Sequence, residues 1–312
     1  MWRSLLWVCL GSVALAGACS SSTTNEGSAT GGASTGGAST GGANTGGAST
    51  GGAAGSSTGG APGGGAGGSA TGGSGGGDAG LVCPPGTKGP ALAPVGSSFC
   101  IDATEVTNDH YQAFLADIAD GGPMNLTGLS VCANAIDYKP PSGDPCPPFV
   151  PGTDKNFPVR CVDWCSAYAY CKWAGKRLCG AKGGGPASAS LPDADADQWH
   201  SACAGPGGAD KYFYGDQHEG GRCIDTTQVA PVGSTMGQQK PCSSHYYKTV
   251  TDMLGNVAEW EDACSGADCL TRGGSASDGG PGVTCATPKP VPRTKKLPEV
   301  GFRCCWDDSV GK

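Results

Sequence analysis

The chain has 312 residues, of which 57 are glycine, while only 15% are charged and 7% are aromatic. Its net charge of −7 argues against a nucleic-acid partner, because phosphate binding needs clustered lysine and arginine. After the N-terminal segment, no apolar run approaches the roughly 20 residues that a membrane-spanning helix requires. The composition predicts a soluble acidic protein in which glycine is unevenly distributed.

Residues 1–18 are typical of a secretory signal peptide, with Arg3 before a short apolar stretch and small residues before Cys19. The sequence Leu-Ala-Gly-Ala-Cys resembles the bacterial lipobox, although Ala16 stands where leucine is usual. We therefore expect a lipid on Cys19, which would anchor the exported chain in the bacterial cell envelope at the outer membrane or cell surface. Cleavage at the same bond without lipidation would instead release a free secreted protein.

Residues 19–82 are predicted to form a flexible tether. Between Cys19 and Leu81 there is no aromatic, Leu, Ile, Val or Met residue, so the segment cannot bury enough apolar surface to offset its chain entropy. Its five-residue Gly/Ala/Ser/Thr repeat lacks the apolar positions of structural repeats. A random coil of this length spans roughly 40–45 Å. The folded domain is predicted over residues 83–307.

Two segments of the folded part have helical periodicity, the first after a predicted N-cap at Thr107 and the second after Asp163. The apolar residues at i, i+3, i+4 and i+7 are Tyr111, Phe114, Leu115 and Ile118 in the first segment, and Trp164, Ala167, Tyr168 and Cys171 in the second. We interpret both apolar faces as core.

A third helix is predicted over Asp195–Ala204, with Asp193 or Asp195 near its N-terminus. Negative charge is favoured at that end of a helix, and we interpret Asp193, Asp195 and Asp197 as solvated charges rather than metal ligands. The remaining segments are short and broken by glycine and proline, which predicts a loop-rich α+β fold.

The number and positions of the cysteines are consistent with the predicted export. Of the 18 cysteines, Cys9 lies in the predicted signal peptide and Cys19 would carry lipid, which leaves 16 between Cys83 and Cys305. In an exported chain this density predicts a disulfide framework. A zinc site would need C-x-x-C pairs or clustered histidines, and the sequence has neither. Spacing alone suggests the local pairs Cys83–Cys100, Cys132–Cys146, Cys223–Cys242 and Cys264–Cys269.

Five strings carry a more specific signal, and they occur in a fixed order. They are CIDATEVTNDHYQAFL from Cys100, FPVRCVDWCSAYAYCKWAGKRLCGA from Phe157, DMLGNVAEWEDAC from Asp252, RGGSAS from Arg272 and VGFRCC from Val300. Together they resemble the formylglycine-generating enzyme (sulfatase-modifying factor) family over about Cys83 to Trp306. The resemblance implies a loop-rich, disulfide-rich α+β domain that is a variant of the C-type-lectin-like fold.

The resemblance also implies an activity that this chain is not equipped to perform. Enzymes of the family oxidise a sulfatase cysteine to formylglycine with oxygen, and they hold Cu(I) with a C-x-x-x-x-C pair shortly after a Gly-Gly-Ser motif. Two soft thiolates select Cu(I). Here Gly273-Gly274-Ser275 is followed by no cysteine until Cys285, which matches a structural cysteine of the family. The usual catalytic pair is absent, and no copper is expected.

An alternative rests on Cys264 and Cys269, which have the C-x-x-x-x-C spacing but precede the Gly-Gly-Ser motif. Their short intervening loop favours a local disulfide. If this pair or another were free, the chain could be a formylglycine-generating oxidoreductase that uses copper and oxygen. The discriminating feature is whether any two of the sixteen cysteines are uncrosslinked.

By resemblance, Cys171 pairs with Cys304 and Cys203 pairs with Cys285. Each link closes a loop of about 80 residues or more, which in the chain-entropy model contributes at most about 4–5 kcal/mol. The sequence does not assign partners to Cys161, Cys165, Cys179 and Cys305.

The family binds a structural Ca²⁺ through the segment that matches residues 252–259. By position, the ligands would be the carboxylates of Asp252 and Glu259 and the carbonyls of Gly255 and Val257. Hard oxygen donors in a tight glycine-containing turn suit Ca²⁺. A plainer interpretation is that Asp252 caps a turn and Glu259 pairs with an arginine or lysine.

The sequence therefore predicts a lipoprotein that displays the family's scaffold without its reaction. A protein, peptide or glycan ligand is the leading expectation, and it rests on analogy with other proteins of this fold. A purely structural envelope protein without a ligand fits the sequence equally well.

Overall fold

A computed structural model describes residues 80–121, 130–132, 137–190, 193–223, 228–235 and 241–310. The predicted signal peptide, Cys19 and nearly all of the predicted tether lie outside these ranges. Within them, no helix is both long and apolar enough to cross a membrane.

The described residues contain three α-helices and eight β-strands, together with two short 3₁₀ turns at Ser130–Cys132 and Pro206–Gly208. In chain order the elements are β1 (Leu92–Val95), β2 (Phe99–Asp102), α1 (Asn108–Ala119), α2 (Trp164–Trp173), β3 (Arg177–Leu178), α3 (Gln198–Ala204), β4 (Ala258–Ser265), β5 (Asp268–Arg272), β6 (Lys289–Pro292), β7 (Val300–Phe302) and β8 (Cys304–Trp306). Short elements between long connections give the predicted loop-rich α+β architecture.

The strands form two four-stranded sheets. The first has the order β1-β2-β8-β3 and is antiparallel throughout, and the second has the order β6-β5-β4-β7, with β4 parallel to β7. Because β7 and β8 belong to different sheets, the chain passes from one sheet to the other at the single residue between them, Arg303.

The first helix begins at the predicted N-cap. The Thr107 side chain accepts a hydrogen bond from the His110 backbone N–H, and the Thr107 N–H donates to His110 Nδ1, so the two residues form a reciprocal cap. Tyr111 and Phe114 are fully buried, and Tyr111 stacks on Tyr170 of α2 with ring centroids 5.7 Å apart. The predicted core face of α1 is confirmed.

The second helix begins after Asp163, which accepts a hydrogen bond of 2.8 Å from the Ser166 N–H. The third begins at Gln198, three residues later than the predicted Asp195, because Asp197 is the N-cap and accepts from the His200 N–H at 3.0 Å.

The interpretation of Asp197 as a solvated charge is wrong. Its side chain is buried, and Oδ2 accepts a hydrogen bond of 3.1 Å from Arg272, a residue 75 positions further along the chain. Asp193 and Asp195 are exposed, as predicted.

Two apolar clusters form the main core. The first contains the aromatic faces of α1 and α2 together with Trp260 of β4 and Phe302 of β7. The second packs β1, β2 and α3 around Trp199 and Phe213. The segment that connects α3 to β4 carries no strand among its described residues, yet it contributes buried side chains such as Phe213 and Met253.

All sixteen cysteines from Cys83 to Cys305 form disulfides. The pairs are Cys83–Cys100, Cys132–Cys165, Cys146–Cys161, Cys171–Cys304, Cys179–Cys305, Cys203–Cys285, Cys223–Cys242 and Cys264–Cys269. The adjacent Cys304 and Cys305 have different partners because successive strand residues point to opposite faces of the sheet.

The predicted Cys132–Cys146 pair is wrong. Cys132 bonds to Cys165 on α2, and Cys146 bonds to Cys161, 15 residues away. The two links run from the segment between α1 and α2 to the start of α2, and spacing along the chain contains no signal for that packing. The other three local pairs and both long-range pairs match the structure.

Candidate functional site

The segment predicted to bind calcium packs directly against the Gly-Gly-Ser motif. The Gly255 N–H donates to the Gly273 carbonyl and the Ala276 N–H donates to the Asn256 carbonyl, each at 2.9 Å. The Asn256 side chain fixes a third segment, because its Oδ1 accepts from the Ala230 N–H at 2.9 Å. Three separate stretches of chain therefore meet at Asn256.

Beside this junction lies a cavity of about 520 Å³. Its lining consists of Phe157, Arg160, Gln228, Val229, Asn256, Ser275, Ala276, Ser277, Pro298 and Glu299. The mixture of apolar walls and a few polar groups is typical of a ligand site.

Ser275 of the Gly-Gly-Ser motif faces this cavity, but its hydroxyl is engaged locally. It donates to Asp278 Oδ2 at 2.7 Å, and the Ser275 N–H donates to the same oxygen at 2.9 Å. Partial burial alone would raise the pKa of Asp278, but these hydrogen bonds hold it below its ordinary value. The serine therefore stabilises a tight turn.

The motif also requires its first glycine. Gly273 has φ of +83°, and a Cβ there would lie 2.5 Å from the Met253 carbonyl oxygen. A side chain would push the motif away from the 252–257 segment, so the close approach of the two stretches depends on glycine.

Glu259, two residues after Val257, forms a fully buried ion pair with Arg303. Arg303 donates from Nε to Glu259 Oε2 and from Nη2 to Glu259 Oε1, both at 2.7 Å. Glu259 Oε2 also accepts from Trp199 Nε1 at 2.7 Å. Arg303 further donates to the carbonyls of Asp102 and Thr251, so one guanidinium joins both sheets and the loop before residue 252.

Two more buried carboxylates adjoin this pair. Burial and the neighbouring Asp252 raise the pKa of Glu105 well above its ordinary value, and burial raises the pKa of Asp252 to about 6. Each has one carboxylate oxygen, Glu105 Oε2 and Asp252 Oδ1, without a hydrogen-bond partner among the described residues. The three carboxylates and Arg303 carry a formal excess of negative charge.

A calcium ion needs oxygen donors that are not already hydrogen-bonded, and the four predicted ligands differ in this respect. Asp252 has a free, buried carboxylate oxygen, and the excess negative charge favours a cation. Glu259 is largely committed to Arg303 and Trp199, and only Oε1 keeps capacity for another contact. Of the four predicted ligands, Asp252 is therefore the one whose side chain keeps an unpartnered oxygen for an ion. Within the described part of the chain, no group of three or more His, Cys, Asp or Glu side chains is arranged to hold a metal.

Cys264 and Cys269 lie elsewhere. They face each other at the turn between β4 and β5 and are joined to each other, and neither lines the cavity beside Ser275. Cys285 is bonded to Cys203 of α3.

Sequence reasoning overlooked the groups that organise this region. Glu105 and Arg303 both lie inside the recognised strings, in EVT and GFRC, but neither received a role. A charged residue at an otherwise apolar position within such a string was the available signal. Phe157 and Arg160 are half-buried residues of a loop that opens the recognised string FPVRC, and Arg160 carried the same signal but received no role.

The fold and this region define a class of protein, an α+β domain braced by disulfides, with a cavity beside a Gly-Gly-Ser turn. The model of the FGE-sulfatase family, described as a sulfatase-modifying factor enzyme 1-like domain, matches residues 66–308. The chain belongs to this family. No curated protein matches the chain.

Solved structures with a similar fold include three at low sequence identity. CarF is 19% identical with a TM-score of 0.44, covering 71% of this chain and 96% of its own. Variable protein 1 of Treponema denticola is 19% identical with a TM-score of 0.41, covering 71% and 92%. PvdO from Pseudomonas aeruginosa is 17% identical with a TM-score of 0.45, covering 69% and 82%.

Proposed function

We propose that this protein is a surface-anchored lipoprotein whose family domain binds a ligand and does not oxidise cysteine. The observation that carries the proposal is the state of the cysteines. All sixteen from Cys83 to Cys305 are crosslinked, so they offer no thiolate pair to hold Cu(I).

The cavity beside Ser275 supports binding as the remaining role. In the family's enzymes this is the neighbourhood of the catalytic cysteines, whereas here the residues that follow Ser275 form a turn held by Asp278. A cavity of about 520 Å³ with both apolar and polar walls is large enough for part of a peptide or a small ligand.

The first test is a thiol count on the mature exported protein. Alkylation without reduction should modify none of the sixteen cysteines, and alkylation after reduction should modify all of them. The second test incubates the protein with Cu(I), oxygen and a cysteine-containing sulfatase-type peptide, and follows the peptide mass. Two free cysteines together with copper-dependent formylglycine formation would refute the proposal and favour the oxidoreductase alternative.

The membrane anchor is part of the same proposal. Cys19 is the expected lipidation site, and the Gly/Ser/Thr-rich stretch that follows would hold the domain away from the membrane. Metabolic labelling with a palmitate analogue should mark the wild type but not Cys19→Ser. If the wild-type protein carries no label and is found in the medium, the result would favour the secreted form.

We also propose a structural Ca²⁺ at Asp252, Gly255, Val257 and Glu259. When bound, the ion would supply positive charge to a buried region with more carboxylates than cations. Its support is the unpartnered Asp252 Oδ1 beside Glu105 and Glu259. The ion would stabilise the turn that supports the cavity wall at Asn256.

A further inference from the structure

A second cavity, of about 340 Å³, adjoins the one beside Ser275. It is lined by Asn108, Pro140, Pro147, Pro148, Phe149, Val150, Asp154, Phe157 and Arg160. Phe157 and Arg160 line both cavities, so these two residues connect the two linings. Proline and aromatic side chains form most of the apolar surface, and Val150 is 41% exposed.

Among the residues that the structure describes, Arg160 is the one cationic side chain on either lining. Its Nη1 donates to the Pro298 carbonyl at 3.3 Å, and it forms no ion pair with the described acidic residues. Burial lowers the pKa of this guanidinium, and the charge of Asp154 opposes that effect. A partly desolvated guanidinium with unused donors is a strong receptor for a carboxylate.

Each of the two linings also includes one acidic residue. Glu299 lines the first cavity and Asp154 lines the second, and neither is in an ion pair within the described ranges. Together the two linings carry two negative side chains and one positive side chain. Such a lining attracts a ligand that combines a carboxylate with basic groups, and it repels a polyanion such as a nucleic acid or an acidic polysaccharide.

We infer that the two cavities form one peptide-binding groove, in which Arg160 binds the carboxylate of a Glu or Asp side chain of an extended peptide whose flanking residues are basic. The inference rests on the proposed binding function and names the ligand class. The apolar walls at Phe149, Phe157 and Pro298 favour a peptide over a sugar acid, because they can bury side chains but offer few partners for hydroxyl groups.

The experiment uses the mature exported protein with its disulfides intact and isothermal titration calorimetry. The probe is the blocked peptide Ala-Lys-Pro-Glu-Pro-Lys-Ala. The comparison peptides carry Gln in place of Glu, or the reversed charges Ala-Glu-Pro-Lys-Pro-Glu-Ala, and an oligogalacturonate serves as the acidic glycan. We expect the Glu peptide to bind roughly tenfold more tightly than the Gln peptide.

Three variants locate the effect. Arg160→Gln should abolish the preference for Glu over Gln, and Arg160→Lys should retain part of it because it keeps the charge but loses the planar fork. Lys172→Gln is the matched control, since it removes one exposed positive charge outside both linings and should leave the preference unchanged. Melting curves check that each variant is folded.

The inference is overturned if the Glu preference survives Arg160→Gln, if the reversed peptide or the oligogalacturonate binds more tightly, or if none of the peptides binds at millimolar concentration. Peptide binding that is unchanged in Arg160→Gln would refute this inference but would still support the proposed binding function. Copper-dependent peptide oxidation would instead refute that function, so the two failures are distinguishable.

Discussion

Arg303→Met is expected to destabilise the domain severely, because Arg303 is fully buried and joins the two sheets. The guanidinium forms two hydrogen bonds to Glu259 and two to the carbonyls of Asp102 and Thr251. Methionine fills a similar volume but satisfies none of these acceptors. Glu259 would keep only Trp199 as a partner.

Removal of one partner from a buried ion pair typically costs about 3–5 kcal/mol, since the remaining charge is left without compensation. Here the cost should fall at the upper end of that range. The raised pKa values of Glu105 and Asp252 indicate that the region is already short of positive charge, and Arg303 is among the groups that oppose both shifts.

The assay is equilibrium unfolding in guanidinium chloride with disulfides intact, which gives the free energy of unfolding by linear extrapolation. Lys88→Met is the matched control. Lys88 pairs with Asp117 at 2.9 Å, but both side chains are about half exposed, so this substitution should cost less than about 1 kcal/mol.

The double variant Arg303→Met/Glu259→Leu tests whether the loss of stability comes from the unpaired charge of Glu259 or from the altered side-chain packing. Replacing both members of a buried pair by apolar residues is often nearly neutral, so this variant should recover much of the stability that Arg303→Met loses. The reasoning fails if Arg303→Met costs no more than Lys88→Met, or if the double variant is less stable than the single one.

Three further predictions concern the candidate site and β4. Gly273→Ala should cost about 2–4 kcal/mol, because it combines positive φ with a Cβ 2.5 Å from the Met253 carbonyl. Gly266→Ala also has positive φ but meets nothing within 4 Å, so in the same unfolding assay it should cost only about 1–2 kcal/mol. Equal losses would contradict the steric argument. Burial raises the pKa of Asp262 to about 6. The folded state therefore binds more protons than the unfolded state between about pH 4 and 6, and stability falls as pH rises through that window. Asp262→Asn should flatten the curve by no more than about 3 kcal/mol, and an unchanged slope would refute the assignment. Millimolar Ca²⁺ should raise the melting temperature of the wild type but not of Asp252→Asn, and an equal rise in both would count against the calcium site.

Local features were predictable because they depend on neighbours in the chain. Thr107 and Asp163 cap their helices through hydrogen bonds that span three residues. The Cys264–Cys269 link joins residues five positions apart on two paired strands. The ordered strings were sufficient for the family and its loop-rich α+β fold.

Predictions that depended on contacts between distant segments were less successful. Asp197 was interpreted as a solvated residue because acidic residues in the first turn of a helix are favoured there by its dipole, but Arg272 approaches it from β5 and the pair is buried. Cys132 and Cys146 are close in the chain, yet each bonds to a different cysteine near the start of α2.

The sequence by itself determined the disulfide character, two of the three helix starts and the absence of cysteine between Ser275 and Cys285. Only the tertiary structure decided that Arg303 bridges the sheets, that Glu105 and Asp252 lie beside Glu259, and that Arg160 lines two adjoining cavities. Capping and periodicity act over one or two turns, whereas these placements arise where segments far apart in the chain cross, and burial there sets which charges must pair.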